Sequence, residues 1–381
     1  MQTGHSTIGI TGRAYSRREK GIIIVSAAVL IALIMVSFCI RDDTADKSVM
    51  MTSPSTFFKN IATYLKLQFL SFTSPEEYKI QNLDVQDLPY YYENVHRFSE
   101  TFTIAIAGAI LAASGAVFQC VMRNPLAEPA MLGVQSGVNL GCAFVVINTG
   151  LAFTSTARYF YCYLFAFIVV AAVLICGRLA GGKKTSVVDM ILGGVIINRV
   201  MNGINATIRF SLDEDQLIDY QTLTKTPYLA DISLAKLGIF ILVAVICILP
   251  GYMMRFSFNT MAFGEEGTMS LGINPKKMQI VGIVSGAVLF TTAMIFCGTV
   301  GLVSLLIPHM CRFLFGADFK KVLFYSALFG AIFLLASRII AMFVYFSNGG
   351  FNYQVPLPLA IFIVMLLPFI WVMAKQKRGV E

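Results

Sequence analysis

The chain has 381 residues, 57% of them hydrophobic and only 13% charged, with a formal net charge of +8. Soluble domains carry about 25% charged residues, so this balance excludes an ordinary soluble enzyme and points to a protein that crosses a bilayer repeatedly. Eight cysteines lie scattered through apolar sequence with no C-x-x-C pair, which argues against a metal cluster or disulfide framework and for thiols acting as small hydrophobes.

Segments apolar enough to cross about 30 Å of hydrocarbon recur along the whole chain. In order they run 21–40, 99–121, 131–149, 157–178, 187–208, 235–254, 279–300, a short one near 305–315, 322–346 and 355–374. The fold class is therefore an all-α polytopic membrane protein of about ten spans. The first span follows Arg13, Arg17, Arg18 and Lys20. It is too long for a signal-peptide core and lacks a small-x-small cleavage site, so it reads as a retained helix. With the N-terminus inside, Arg123, Arg178, Lys183, Lys184, Arg255, Lys276, Lys277, Arg312, Lys320, Lys321, Lys375, Lys377 and Arg378 all fall on the cytosolic side. The two longest outer stretches, 41–96 and 209–234, are mostly acidic. Positive charge on one side is a topology signature, not a nucleic-acid patch, and it places both termini in the cytosol. The division is a basic tail at 1–20, a first helix at 21–40 and an outer segment at 41–96. A core follows at 97–375, with a cytosolic segment near 256–278, and a tail at 376–381. Residues 55–70 resemble an amphipathic helix on the outer surface.

Between spans two and three the chain reads "RNPLAEP". Arg123, Asn124 and Pro125 suit a tight cytosolic turn; Glu128 and Pro129 suit the first turn of the next helix. In span five, Asn198, Asn202, Asn205 and Arg209 recur at i, i+4, i+7 and i+11, one helix face. Amides facing lipid are costly, so this face looks to protein as helix–helix glue or to a water-filled path. "GRLAGGKK" at 177–184 fails as a phosphate loop, because Lys184 stands where Ser or Thr must be and no strand precedes it. His96 and His309 do not converge in sequence, so a structural hydrogen bond is favoured for His309 over a haem or metal ligand. No catalytic, cofactor or metal site is indicated, and any ATP hydrolysis must come from another chain.

"GAILAASGAVFQCVMRNPLAEPAMLGVQSGVNLG" at 108–141 closely resembles the hallmark segment of FecCD/BtuC-type permeases, the membrane subunits of iron-siderophore, haem and vitamin B12 ABC importers. "GTVGLVSLLIPHMCRFLFGADFKKVLFYSALFGAIFLLAS" at 298–337 and "FGEEGTMSLGI" at 263–273 agree in order and spacing. The resemblance implies a permease in a bacterial cell membrane that pairs with a second permease around a central path. Cytosolic ATPase subunits would drive it and an extracytoplasmic solute-binding protein would feed it. It places Gly264, Glu265, Glu266, Leu271 and Gly272 at the ATPase-coupling surface, and tips span five and Gln119 toward the translocation path. Two departures concern docking of the binding protein. Arg97 is kept, but Glu100 stands where a second arginine is usual, and the later arginine is displaced from Ala341 to Arg338. An acidic Glu100 presented outward would suit either a binding protein with a basic lobe or a permease partner of different sequence, and the second, a heterodimer, is preferred. The alternative function is an ion-coupled secondary transporter, disfavoured because Asp189 is the only carboxylate evident near a span.

Overall fold

The structure, a computed structural model, describes residues 16–43, 48–51, 53–73, 91–149, 157–181, 187–225, 234–343, 345–348, 351–354 and 357–378. The basic tail before Ser16, Lys183, Lys184 and the outer residues Val355 and Pro356 lie outside these.

The first helix, α1 (Arg17–Cys39), starts with a reciprocal cap, in which the Ser16 hydroxyl accepts from the Glu19 N–H and Glu19 accepts from the Ser16 N–H. It runs outward into a hairpin, β1 (Ile40–Asp43) with β2 (Ser48–Met51), Ile40 pairing Met51. Next comes α2 (Pro54–Thr73). One face of α2 packs Phe57 and Ile61 under Phe38 of α1, with the Phe38 and Phe57 rings stacked at 4.3 Å. Its other face exposes Phe58, Leu65 and Phe69, as an outer-surface amphipathic helix should.

Central to the molecule is α3 (Tyr91–Val121), buried along almost its whole length. It begins two turns before the predicted span, so its first residues belong to the outer segment. Small residues let its backbone come close to neighbours. A Cβ on Gly108 would stand 2.3 Å from the Gly330 carbonyl oxygen, and one on Gly330 only 2.2 Å from that of Gly108. Around it lie α4 (Val134–Thr149), α5 (Ala157–Gly181), α6 (Val187–Ser211), the outer helix α7 (Glu214–Lys225) and α8 (Leu234–Met253). Two short cytosolic helices follow, α9 (Arg255–Thr260) and α10 (Gly264–Ser270). Then come α11 (Pro275–Cys297), α12 (Val303–Phe315), α13 (Phe319–Phe343), the outer hairpin β3 (Tyr345–Asn348) with β4 (Phe351–Gln354), and α14 (Leu357–Arg378).

Ten of these helices, α1, α3–α6, α8 and α11–α14, match the ten predicted spans. Six of them, α1, α3, α5, α8, α11 and α13, are individually long and apolar enough to cross a membrane. Outward-facing residues such as Ile24, Ile31, Phe160, Leu179, Ile239 and Leu242 are exposed on α1, α5 and α8, where lipid would cover them. An ion pair between Glu19 and Lys321 ties the starts of α1 and α13 together, and both are ends the charge asymmetry assigns to the cytosol. The 13 residues of α12 reach roughly 20 Å at about 1.5 Å per residue, too short for the hydrocarbon core. The turn before it therefore sits at membrane depth. Its backbone is accommodated there by Gly298 at φ 69° and by Leu302 at φ 70°, with Thr299 N–H donating to the Thr224 carbonyl at 3.0 Å.

Candidate translocation face and coupling surface

The "RNPLAEP" stretch forms the expected hairpin. Arg123 takes a left-handed conformation at φ 48°, and the Asn124 side-chain oxygen accepts from Leu126 N–H at 2.9 Å, a local turn that asparagine favours. Pro129 opens a single 3₁₀ turn, Pro129–Leu132, and Gly133 at φ 77° leads into α4. Less expected is the role of Glu128, whose Oε2 accepts from Ser304 Oγ at 2.9 Å. The hairpin is thereby pinned to the first turn of α12. Burial pushes the Glu128 carboxyl above the ordinary carboxylate range, with the Ser304 hydrogen bond pulling the other way.

Gln119, placed on the path by resemblance, is buried between helices. Its Nε2 donates to the Leu305 carbonyl at 2.8 Å and its Oε1 accepts from Arg312 Nη1 at 2.9 Å. An amide so engaged at both ends holds α3 to α12. Beside it a cavity of about 350 Å³ opens, lined by Gln119, Arg123, Asn259, Arg312, Ala317 and Phe319 among others.

Over that cavity α9 and α10 form a knuckle. Buried Thr268 donates to the carbonyls of Thr260 and Gly264 at 2.8 and 2.6 Å. Asn259 donates to Asp318 at 3.1 Å and accepts from Phe319 N–H at 2.7 Å. Gly264 sits at φ 81°, ψ −178°, a region open essentially to glycine alone, and Gly272 at φ 76°. Outward, the knuckle exposes Phe263, Met269 and Leu271 beside exposed Glu265 and Glu266. Arg123 and Glu265 approach only to 4.0 Å and are both substantially exposed, too open a pair to hold much.

On α6 the polar stripe divides. Asn205 is buried and its Nδ2 donates to the Ser136 carbonyl at 2.9 Å. Half-buried Asn198 reaches the Ala130 carbonyl at 3.4 Å. These two are helix glue. Asn202 is exposed and, among the described residues, donates only to Asn198, at 3.2 Å, and Arg209 is exposed in the last turn. Arg199, which the stripe reading passed over because it falls one residue after Asn198, stands exposed with them. A lone arginine inside a span was the available clue.

At the outer end of α3 the expected docking residues turn inward. Glu100 is 3% exposed and Arg97 7%. One Glu100 oxygen accepts from Arg338 Nε at 2.7 Å and lies 2.6 Å from its Nη2, while the other accepts from Arg97 Nη1 at 3.1 Å. The two departures in this region thus complete each other: the acid at 100 is neutralised by the arginine at 338. This corrects the expectation that Arg97, Glu100 and Arg338 stand out toward a binding protein, and it removes the outward-facing acid on which the heterodimer preference rested. It also adds a membrane-level carboxylate besides Asp189, one already held by two guanidiniums.

The profile of the FecCD transport family matches residues 63–375. Among curated proteins, the chain is 32% identical over 252 residues to MJ0087 of Methanocaldococcus jannaschii, covering 63% of this chain and 70% of that one. It is 27% identical to the iron(3+)-hydroxamate import system permease protein FhuB of Bacillus subtilis, covering 74% and 71%. It is 28% identical to the hemin transport system permease protein HmuU of Yersinia pestis, covering 64% and 73%. In fold it resembles a chain of an ABC transporter solved in an inward-facing conformation, with a TM-score of 0.69 at 21% identity, covering 93% of this chain and 99% of that one. PsaBC of Streptococcus pneumoniae gives 0.54 at 16% identity, covering 73% and 90%. With a family profile spanning most of the sequence and a predominantly helical, multi-pass fold to match, the chain belongs to the FecCD transport family.

Proposed function

We propose that this chain is the membrane-spanning permease subunit of an ATP-driven importer for an iron chelate, siderophore or haem, in a bacterial cell membrane. The observation that carries the reading is the meeting of three distant sequence blocks at one cytosolic surface. The Arg123–Pro125 turn, α9 with the Ala262 that follows it, and the end of α12 line a single cavity. The knuckle above it is internally braced yet exposes Phe263, Met269 and Leu271. An apolar, rigid protrusion on the cytosolic side suits a separate ATPase subunit that must push on the spans. Gly264, Glu265, Glu266, Leu271 and Gly272 would form that contact. A second permease subunit would complete the path along the open face of α6, and an extracytoplasmic binding protein would deliver cargo. The iron-chelate assignment rests on relatives such as FhuB and HmuU, whose names specify ferric hydroxamate and hemin.

The test is reconstitution in proteoliposomes with a cognate ATPase and binding protein. ATP-dependent uptake of ferric chelate or haem, lost in Leu271→Asp, is expected. Uptake that follows an ion gradient and ignores ATP would instead make the protein a secondary transporter.

A further inference from the structure

We infer that the exposed face of α6 bearing Arg199, Asn202 and Arg209 is a cargo-contacting strip selective for net-anionic chelates. This rests on the permease reading above, which makes that face part of the path.

Arg199 stands at the midpoint of α6, Val187–Ser211. At about 1.5 Å per residue it is roughly 18 Å from either end, too far for its side chain to snorkel to a water interface. It is exposed all the same, as are Asn202, Gly203 and Arg209. Among the described residues no carboxylate lies within ion-pairing distance of Arg199 or Arg209. A Cβ on Gly203 would meet no atom within 4 Å, so the strip is open at its centre, with exposed Ile196, Val200 and Ile204 alongside. A guanidinium at mid-membrane facing hydrocarbon is costly, and such residues face a bundle interior or a water-filled cavity. This one faces away from its own bundle.

Water lining alone asks for amides. A mid-membrane guanidinium with no described acid within ion-pairing distance asks for negative charge, because its planar fork binds carboxylates and similar oxyanions bidentately and repels cations. A chelate whose ligands carry more negative charge than its metal carries positive presents that chemistry. A neutral chelate gains nothing from the arginines.

The test reads the strip directly, in membrane vesicles containing the assembled transporter. Cys176, the exposed native thiol, is replaced by Ser, and Asn202→Cys is introduced. Its labelling rate is measured with a sulfonate-bearing and a trimethylammonium-bearing methanethiosulfonate. Both should react, the anionic reagent preferentially, and adding Arg199→Gln should lower that preference about tenfold, the scale of local counter-ion enrichment by a confined charge. A net-anionic ferric tricatecholate should slow labelling at concentrations where a neutral ferric trihydroxamate does not. Gly203→Cys, placed in open space, serves if Asn202→Cys does not assemble. Absence of labelling would put lipid or a partner over the strip and overturn the inference. A preference unchanged by Arg199→Gln would mean that a partner acid already neutralises it, and would overturn the inference equally. Equal protection by both chelates, or by neither, would overturn the cargo preference. Labelling is independent of ATP-driven uptake, so failure here and failure of the permease reading show separately.

Discussion

Arg97 and Arg338 converge on one buried carboxylate at the outer ends of α3 and α13, whereas Arg199 and Arg209 stand on the open face of α6 with no described acid in reach. Both pairs belong to spanning helices of the same chain, so the membrane penalises both. The outer pair meets that penalty internally and closes off a contact between two helices. The α6 pair leaves it to be met by something outside the chain. Charge satisfied within a fold is evidence of architecture; charge left open at membrane depth is evidence of a task.

The outer cluster offers the sharpest way to break this contrast. Removing one member of a buried ion pair leaves an uncompensated charge, typically costing about 3–5 kcal/mol. Glu100→Gln, which strands two arginines, is expected to lower the thermal midpoint strongly in detergent. The double variant Glu100→Gln with Arg338→Gln, which removes one of the stranded charges, should recover part of that loss. A midpoint unmoved by Glu100→Gln would mean that the cluster holds nothing. Arg199→Gln should leave the midpoint in place.

The knuckle gives the next effect. Gly264→Ala meets no close atom, since the nearest to its Cβ is Arg123 Nη1 at 3.6 Å. Its whole penalty is therefore backbone strain of about 1–3 kcal/mol. We expect weaker retention of the ATPase in affinity purification with the melting of the spans little changed. Equal retention would detach this glycine from coupling.

Within α6 the buried and open amides should part company. Asn205→Leu removes the bond to the Ser136 carbonyl and should cost about 1 kcal/mol, the scale of an interhelical hydrogen bond in a membrane. Asn202→Leu should leave stability intact and lower uptake per folded molecule. Thermal melting and transport on the same preparation separate the two; identical behaviour would erase the division of the stripe.

The smallest effect is a pH slope. Burial raises the Glu128 carboxyl above its unfolded value, so the folded state binds the extra proton. That contribution to stability is present at low pH and declines as pH rises out of the carboxylate range. Melting of the Glu128→Gln variant between pH 4 and 7 should show a shallower dependence than the parent; an equal slope would place the titration elsewhere.

The ten spans were legible in sequence because hydrocarbon length is a one-dimensional property, and the Arg123–Pro125 turn because Asn-Pro fixes local geometry. The orientation rests on lysine and arginine placement, a property of the sequence itself. The Glu100–Arg338 pair was not, since its partners are 238 residues apart and each alone looked like a departure from the family's docking pattern. The bracing role of Gln119 was hidden for the same reason: its two partners are Leu305 and Arg312, on a helix whose packing the sequence does not specify. Arg199 was missed because a stripe drawn through asparagines follows one angle on the helix, while exposure spreads over a wider arc.

Hydrogen–deuterium exchange on the permease alone and on its complex with the ATPase tests the coupling claim most directly. Peptides covering Arg255–Asn274 should exchange more slowly in the complex, while peptides covering Arg97–Phe102 stay slow and unchanged in both. Unaltered exchange across Arg255–Asn274 in a complex that hydrolyses ATP and transports, or new protection confined to the outer end, would contradict it.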